Sequence, residues 1–450
     1  MLENIKNIAI IGAAESGVGA AILAKAKGYN CFLSDYGAMK ESYKKDLENY
    51  GLSYEENGHS FSKILDCDLI IKSPGVPHKA PIIQQANDKN IPVISEIEFA
   101  SWFTNGKIIA ITGTNGKTTT TSLMYHILKH AGFDVGLGGN IGNSFARMVA
   151  EEPHSYYVLE LSSFQLDDLI SYKNQIGILL NITPDHLNRY DYKFENYVAA
   201  KFHITNMQTS EDYFIFNYDD PNIRTFMEKN KPESTLLPFS QKEEVFPGAY
   251  IKNNELIIGI NTKNEFTMNM EELSLKGKHN RYNTMASAIA ARILEVRKDV
   301  TREALRSFQS IDHRLETIAI IRDVQYVNDS KATNVNSVWF ALESFNQPIV
   351  WIAGGEDKGN DYSEIKALVK ERVKALICLG IDNTKLHEEF AADVSSITDA
   401  GSMQEAIKKA VALAEPGDVV LLSPACASFD LFENYEDRGK QFKQAVLTLA

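Results

Sequence analysis

Cysteine is scarce in this chain: four in 450 residues, at Cys31, Cys67, Cys378 and Cys426. None falls in a C-x-x-C pair, so neither a zinc knuckle nor a dithiol redox centre has its ligand spacing. The thiols read as reduced, partly buried side chains of a cytosolic protein. Long apolar runs are also lacking, none approaching the ~18–20 residues that cross a bilayer. Basic charge is in deficit, with 46 Lys and Arg against 59 Asp and Glu and a net charge of −13. That balance excludes the broad basic face a nucleic-acid or anionic-membrane binder needs. A few lysines and helix N-termini can still hold a phosphate. The start, MLENIKNIAIIG, carries an acid at once and enters a strand-like run, so no signal peptide is expected. The reading is a soluble cytoplasmic protein without nucleic-acid or membrane partners.

Two motifs lack a glycine. In GAAESG, Gly12 to Gly17, the second glycine of a dinucleotide fingerprint is replaced by Ala14. A methyl there impedes the close backbone approach of a pyrophosphate and disfavours a nicotinamide enzyme. In ITGTNGKTTT, a Walker A loop would want glycine at Ile111, but the glycine comes at Gly113, two residues later. The loop is therefore tighter than the common phosphate loop. Its setting is still strand, glycine turn, helix, the context a phosphate site requires. Backbone N–H groups of Gly113, Thr114, Asn115, Gly116, Lys117 and Thr118 can converge on phosphate oxygens, with Lys117 reaching the outer phosphates. The hydroxyl of Thr118 is placed for Mg²⁺, and Thr119 beside it is a further candidate for the nucleotide.

Short apolar runs alternate with helix-like segments, which predicts an α/β protein with mainly parallel sheets. We expect three domains, over residues 1–105, 106–310 and 311–450. The first and third are Rossmann-like. The second is a P-loop ATPase type, with a small antiparallel meander inserted between Phe246 and Leu275 and a long helix from about Asn280. Polar residues collect at strand ends, the edge where open α/β sheets bind ligands. Glu160 closes YYVLE; Asp185 and His186 follow ILLNITP. A lone strand-end histidine is by itself an ordinary hydrogen-bonded residue. Lys201 taken alone is a solvated charge on an amphipathic helix. Asn280 and Asn283 taken alone are good residues for opening a helix.

GTNGKTTT, ELSSFQL, NITPDHLNRY, YVAAKFHI, GKHNRYN, NDSKATN and SPACASFDLFENYEDRG occur in that order along the whole chain. Together they resemble the Mur ligases, ATP-dependent amide-forming enzymes of peptidoglycan synthesis. DSKATN and SPACASFDLF are most similar to the D-glutamate-adding branch, and the D-N-P-R motif of the diamino-acid branch is absent. The resemblance implies a monomer that uses ATP and two Mg²⁺ ions to join D-glutamate to UDP-N-acetylmuramoyl-L-alanine through an acyl phosphate. It makes the three domains the binders of the UDP-sugar, ATP and D-glutamate, in that order.

It also implies roles. Lys117 holds the γ-phosphate, Thr118 and Glu160 the first Mg²⁺, and His186 a second. Lys201 becomes a carbamate, which turns a cation into an oxygen ligand for Mg²⁺. Asn280, Asn283, Arg314 and Asp329 join the phosphate loop in binding ATP. Glu15, Ser16, Asp35, Ser73, Pro74, Gly75, Asn140 and His186 face the UDP substrate. Lys331, Thr333, Lys358, Ser428 and Tyr435 face D-glutamate, whose two carboxylates need cations and hydroxyls.

Overall fold

The computed structural model describes residues 5–262, 265–308, 313–357 and 359–449. They form two compact units, Met1–Ser274 with Asn280–Phe308, and Leu275–His279 with Gln309–Ala450.

The first unit carries two sheets. The amino-terminal one is β1 Asn7–Ile11, β2 Asn30–Ser34, β3 Ser53–Glu55, β4 Leu69–Lys72 and β5 Val93–Ser95. All are parallel, in the order β3-β2-β1-β4-β5. Runs such as IAII and LII do not alternate because helices cover both faces of a parallel sheet. The second sheet comprises β6 Lys107–Thr112, β7 Val135–Gly139, β8 Tyr156–Glu160, β9 Ile176–Leu179, β10 Tyr213–Asn217 and β11 Thr235–Ser240. It continues through β12 Gly248–Lys252, β13 Glu255–Gly259 and β14 Phe266–Asn269. Its order is β14-β13-β12-β11-β10-β9-β6-β8-β7, so β6, which leads into the phosphate loop, is an interior strand, third from the β7 edge.

The expected meander is present as β12 to β14, but it is not set apart. β12 pairs parallel with β11, and the antiparallel strands simply extend the edge of the sheet. Asn253 and Asn254 close the first hairpin, both with positive φ, as a two-residue turn of the favoured hand requires.

One apolar core runs under both sheets and includes Ile10, Leu23, Phe99, Phe145, Tyr157 and Phe214. A polar lock lies beside it. The buried Glu98 carboxylate accepts from the N–H groups of Ile170 (3.0 Å), Ser171 (2.9 Å) and Tyr172 (2.8 Å) and from Trp102 Nε1 (2.9 Å). Bonds to a charged acceptor contribute about 1.5–3 kcal/mol each. This lock ties the end of the first sheet to the loop before β9.

The second unit holds β15 Glu316–Ile321, β16 Val324–Asn328, β17 Ile349–Gly354, β18 Val373–Leu379, β19 Ser396–Ala400 and β20 Val419–Ala425. The order is β15-β16-β20-β17-β18-β19, with β15 antiparallel at one edge. Its core is built on Trp351, fully buried, whose Nε1 donates to Ser423 O at 2.7 Å. No helix among the described residues is long and apolar enough to cross a membrane.

Candidate active site

The loop after β6 is shaped by its neighbour strand rather than by itself. Asn181, two residues past β9, accepts at Oδ1 from Asn115 N (2.8 Å) and donates from Nδ2 to Asn115 O (2.9 Å). Its carbonyl accepts from Thr114 N at 2.9 Å. Thr114 Oγ1 accepts from Thr183 N (3.0 Å) and lies 3.1 Å from Tyr197 OH. Gly116 caps the helix Lys117–His130 in the left-handed region, φ 83°. A Cβ there would sit 2.5 Å from Asn283 Oδ1, so the glycine lets Asn283 close on the loop. Gly116 supplies no side-chain cap, and the first turn of a helix is a setting that suits an anion. Thr118 and Thr119 are buried in the first turn, and Thr119 Oγ1 has no hydrogen-bond partner among the described residues.

Lys117 folds back over this loop, donating from Nζ to the carbonyls of Gly113 and Thr114, each at 2.8 Å. Lys201 arrives from the helix Phe194–Phe202 and donates to Gly113 O at 2.9 Å, with Nζ 4.7 Å from the Tyr197 ring centre. It is 1% exposed, so the solvated-charge reading fails. Burial, and then the charge of Lys117, push its pKa well below the ordinary lysine value; Asp185, Asp167 and Glu160 pull the other way.

Glu160, at the end of β8, is buried, and Asn140 Nδ2 donates to its Oε1 at 3.0 Å. Its Oε2 is buried with no hydrogen-bond partner among the described residues. His186 takes left-handed backbone, φ 53°, with its ring edge-on to Phe164 at 5.1 Å. A pocket of about 250 Å³ gathers Lys117, Lys201, His186, Asn140, Pro74 and Gly75 in its lining.

Other first-sheet candidates are engaged in holding the strand ends. Asp35 accepts from Ala13 N (2.6 Å) and Gly37 N (2.8 Å). Glu15 Oε1 accepts from Ser144 N (3.1 Å) and Arg147 Nε (3.0 Å), while Ser16 is half-buried beside it. Ser73 Oγ donates to Gly12 O at 3.0 Å. Asn280 and Asn283 do not open their helix, which begins at Lys278; they are buried within it, Asn283 Nδ2 donating to Asn280 Oδ1 at 3.1 Å.

In the second unit, Asp329 is buried just past β16 and accepts from Ser423 Oγ (2.9 Å) and Leu315 N (3.2 Å). Burial pushes its pKa up to about 7, against the opposing pull of Arg314. Arg314 Nε is buried with no hydrogen-bond partner among the described residues. Lys331 Nζ lies 5.3 Å over the Tyr435 ring, Thr333 N donates to Lys331 O at 2.9 Å, and Ser428 is buried. Lys358 lies outside the described residues.

Three family models match: the MurD N-terminal domain over residues 7–81, the Mur ligase middle domain over 111–291, and the Mur ligase glutamate ligase domain over 313–426. A UDP-N-acetylmuramoylalanine–D-glutamate ligase of Christiangramia forsetii is 54% identical, covering 99% of this chain and all of that one. The chain belongs to the family of UDP-N-acetylmuramoylalanine–D-glutamate ligases. A member from Porphyromonas gingivalis is 52% identical over 98% of this chain and 99% of its own. Among solved structures, the UDP-N-acetylmuramate-alanine ligase MurC of Thermotoga maritima matches 99% of this chain and all of its own with TM-score 0.65 at 17% identity, a likeness of fold.

Sequence reasoning about this D-glutamate ligase did not single out Asn181 or Arg438. Asn181 sits inside the quoted NITPDH segment, where it reads as a turn residue. Arg438, 1% exposed, donates to Ser330 Oγ (3.0 Å), Ser330 O (2.9 Å) and Cys426 O (3.3 Å), joining the ends of β16 and β20. An arginine in an ENYEDRG helix looks like surface charge until the strands around it are known.

Proposed function

We propose that the protein joins D-glutamate to UDP-N-acetylmuramoyl-L-alanine in the cytoplasm, as a monomeric three-domain ligase divided near residues 105 and 310. The observation that carries the reading is the pocket lined by Lys117, Lys201, His186, Asn140, Pro74 and Gly75. It brings Lys117 of the phosphate loop, the buried Lys201, the half-buried Asp185 and the loop after β4 to one place, as transfer from a nucleotide to a second anionic substrate demands.

A carboxylate oxygen of the L-alanyl end attacks the γ-phosphorus of ATP. An O–P bond forms, the bridging O–P bond breaks, and ADP leaves. The amine of D-glutamate then attacks the acyl carbon, and the tetrahedral intermediate expels phosphate as the nitrogen gives up a proton. Lys117 and the helix N-terminus neutralise the transferring phosphoryl group. Water must be kept from the acyl phosphate meanwhile.

The residues fit Mg²⁺. Glu160 Oε2 is a buried oxygen without a hydrogen-bond donor among the described residues, and a buried carboxylate oxygen wants a cation. Thr118, Glu160, His186 and Lys201 would hold two ions, Lys201 as its carbamate, since an ammonium there would repel a metal. Bound Mg²⁺ supplies charge neutralisation between the two anionic substrates. Asn280, Asn283, Arg314 and Asp329 serve the nucleotide. Glu15, Ser16, Asp35, Ser73, Pro74, Gly75 and Asn140 serve the UDP-sugar, and Lys331, Thr333, Lys358, Ser428 and Tyr435 serve D-glutamate.

Product analysis with UDP-N-acetylmuramoyl-L-alanine, ATP and D-glutamate tests the reading. We expect ADP, phosphate and one amide product, with no stimulation by L-glutamate. Equal turnover of both enantiomers, or ATP hydrolysis without amide, would overturn it.

A further inference from the structure

Beneath the Ser73–Pro74–Gly75 loop lies a buried ion pair that no step above uses. Lys72 ends β4 with a side chain wholly buried, and Asp168 opposite is 5% exposed. The Nζ lies 2.8 Å from Asp168 Oδ2 and donates to Val76 O at 3.1 Å. Asp168 follows the short helix Ser163–Asp167, whose start (Ser162, Ser163 and Phe164) lines the same pocket as Pro74 and Gly75. Its own carbonyl accepts from Ser95 N at 3.2 Å, so it also grips the end of β5.

The loop is held from a second side as well. Arg189, three residues past His186, donates to the carbonyls of Pro74 (3.2 Å), Gly75 (3.3 Å) and Val76 (3.4 Å). Its guanidinium lies 4.4 Å over the Phe164 ring. Three successive carbonyls of a first-sheet loop are thus gripped by two cations, one tied to the segment after β8 and one to the segment after β9.

Stability alone does not account for Lys72. An apolar residue at this strand end would avoid desolvating a charge, and buried ion pairs are often no more stabilising than apolar ones of similar volume. What the pair supplies is a fixed position: Val76 O is held to a point defined by Asp168. We propose that Lys72, paired with Asp168, is a positioning residue that sets the Ser73–Gly75 loop against the phosphate loop, so that the acceptor carboxylate of the UDP-linked substrate meets the transferring phosphorus. This rests on the reading above, in which that loop binds the UDP-sugar precursor.

The test compares wild type, Lys72→Met and the double variant Lys72→Met/Asp168→Leu. Three readouts are taken: KM for each substrate, thermal melting, and amide hydrogen exchange over residues 73–80. Removing one partner should lower the melting temperature, and removing both should restore most of it. In both variants KM for UDP-N-acetylmuramoyl-L-alanine should rise about 10- to 100-fold, the equivalent of one charged hydrogen bond, with KM for ATP and D-glutamate within about twofold. Exchange over 73–80 should quicken in both. A double variant that recovers melting and precursor KM together makes Lys72 merely structural and overturns the proposal, as does an equal rise in all three KM values. If wild type itself fails to use the precursor, the functional reading falls. The exchange arm then still decides the clamp, which is refuted by wild-type protection of 73–80 in both variants.

Discussion

Lys117 and Lys201 donate to the same atom, the carbonyl oxygen of Gly113, at 2.8 and 2.9 Å. Lys201 is fully buried, and burial first and the neighbouring Lys117 charge second push its pKa well below the ordinary lysine value. A neutral amine is the form that adds to carbon dioxide. Protein prepared in ¹³C-bicarbonate should show a carbamate carbon signal that is absent from Lys201→Ala, and that variant should lose at least about 100-fold in kcat with its metal site incomplete. Normal turnover by Lys201→Ala in carbon-dioxide-free buffer would sink the modification.

Gly116 holds left-handed backbone and faces Asn283 Oδ1, so Gly116→Ala carries two penalties. The conformation costs about 1–2 kcal/mol for a residue with a Cβ, and the methyl must also displace Asn283. KM for ATP should rise about tenfold or more by that energy, while KM for the UDP-sugar stays near wild type. Gly116→Ala/Asn283→Ser should recover part of the loss, because it removes the clash but leaves the strain. Titrating each substrate separately checks this; an unchanged KM for ATP would mean the loop is not the nucleotide site.

How much of this could be read beforehand depended on whether the relevant contact was local. The β6–loop–helix unit was legible because its signals are contiguous: an apolar run, Gly113 and Gly116, then Lys117. The antiparallel strands β12 to β14 were legible because helical signals vanish between Phe246 and Leu275, yet their attachment to the edge of the parallel sheet was not, since pairing of β11 with β12 leaves no mark in either strand. The burial of Lys201 could not be read from the helix around it. It follows from the helix Phe194–Phe202 packing beside the loop, where Tyr197 and Gly113 O receive the amine. Asn280 and Asn283 were good caps by residue type, but the helix starts earlier, at Lys278, and uses them inside. Lys72 and Asp168 stand 96 residues apart and gave no signal at all.

Asn140 and Glu160 are joined by a 3.0 Å hydrogen bond, which orients the carboxylate so that Oε2 is left without a donor among the described residues. Asn140→Ala should therefore act on metal use more than on folding. We expect the Mg²⁺ concentration for half-maximal activity to rise about 10-fold, as for loss of a residue that orients a ligand. Glu160→Gln, which removes the charge itself, should be more severe. Activity measured across a Mg²⁺ series gives both numbers, and an unchanged Mg²⁺ dependence in both variants would remove Glu160 from the metal site.

Glu96 offers a test of linkage away from the chemistry. It is fully buried, with Oε1 accepting from Ala146 N at 2.5 Å and Oε2 lacking a partner among the described residues. Burial raises its pKa from 4.5 to about 8, with a smaller contribution from Glu15. The sign follows from where the proton sits. Between these two values the folded protein keeps a proton that the unfolded chain has released, so stability falls as pH rises across that window and levels off above about 8. The slope is about 1.4 kcal/mol per pH unit and the total at most about 5 kcal/mol. Glu96→Gln mimics the neutral acid and should abolish this component, making the variant the more stable protein at about pH 8.5 and nearly equal to wild type at about pH 4.5. Urea unfolding of the two proteins over that range decides it; parallel stability curves would mean that Glu96 ionises in the fold without penalty.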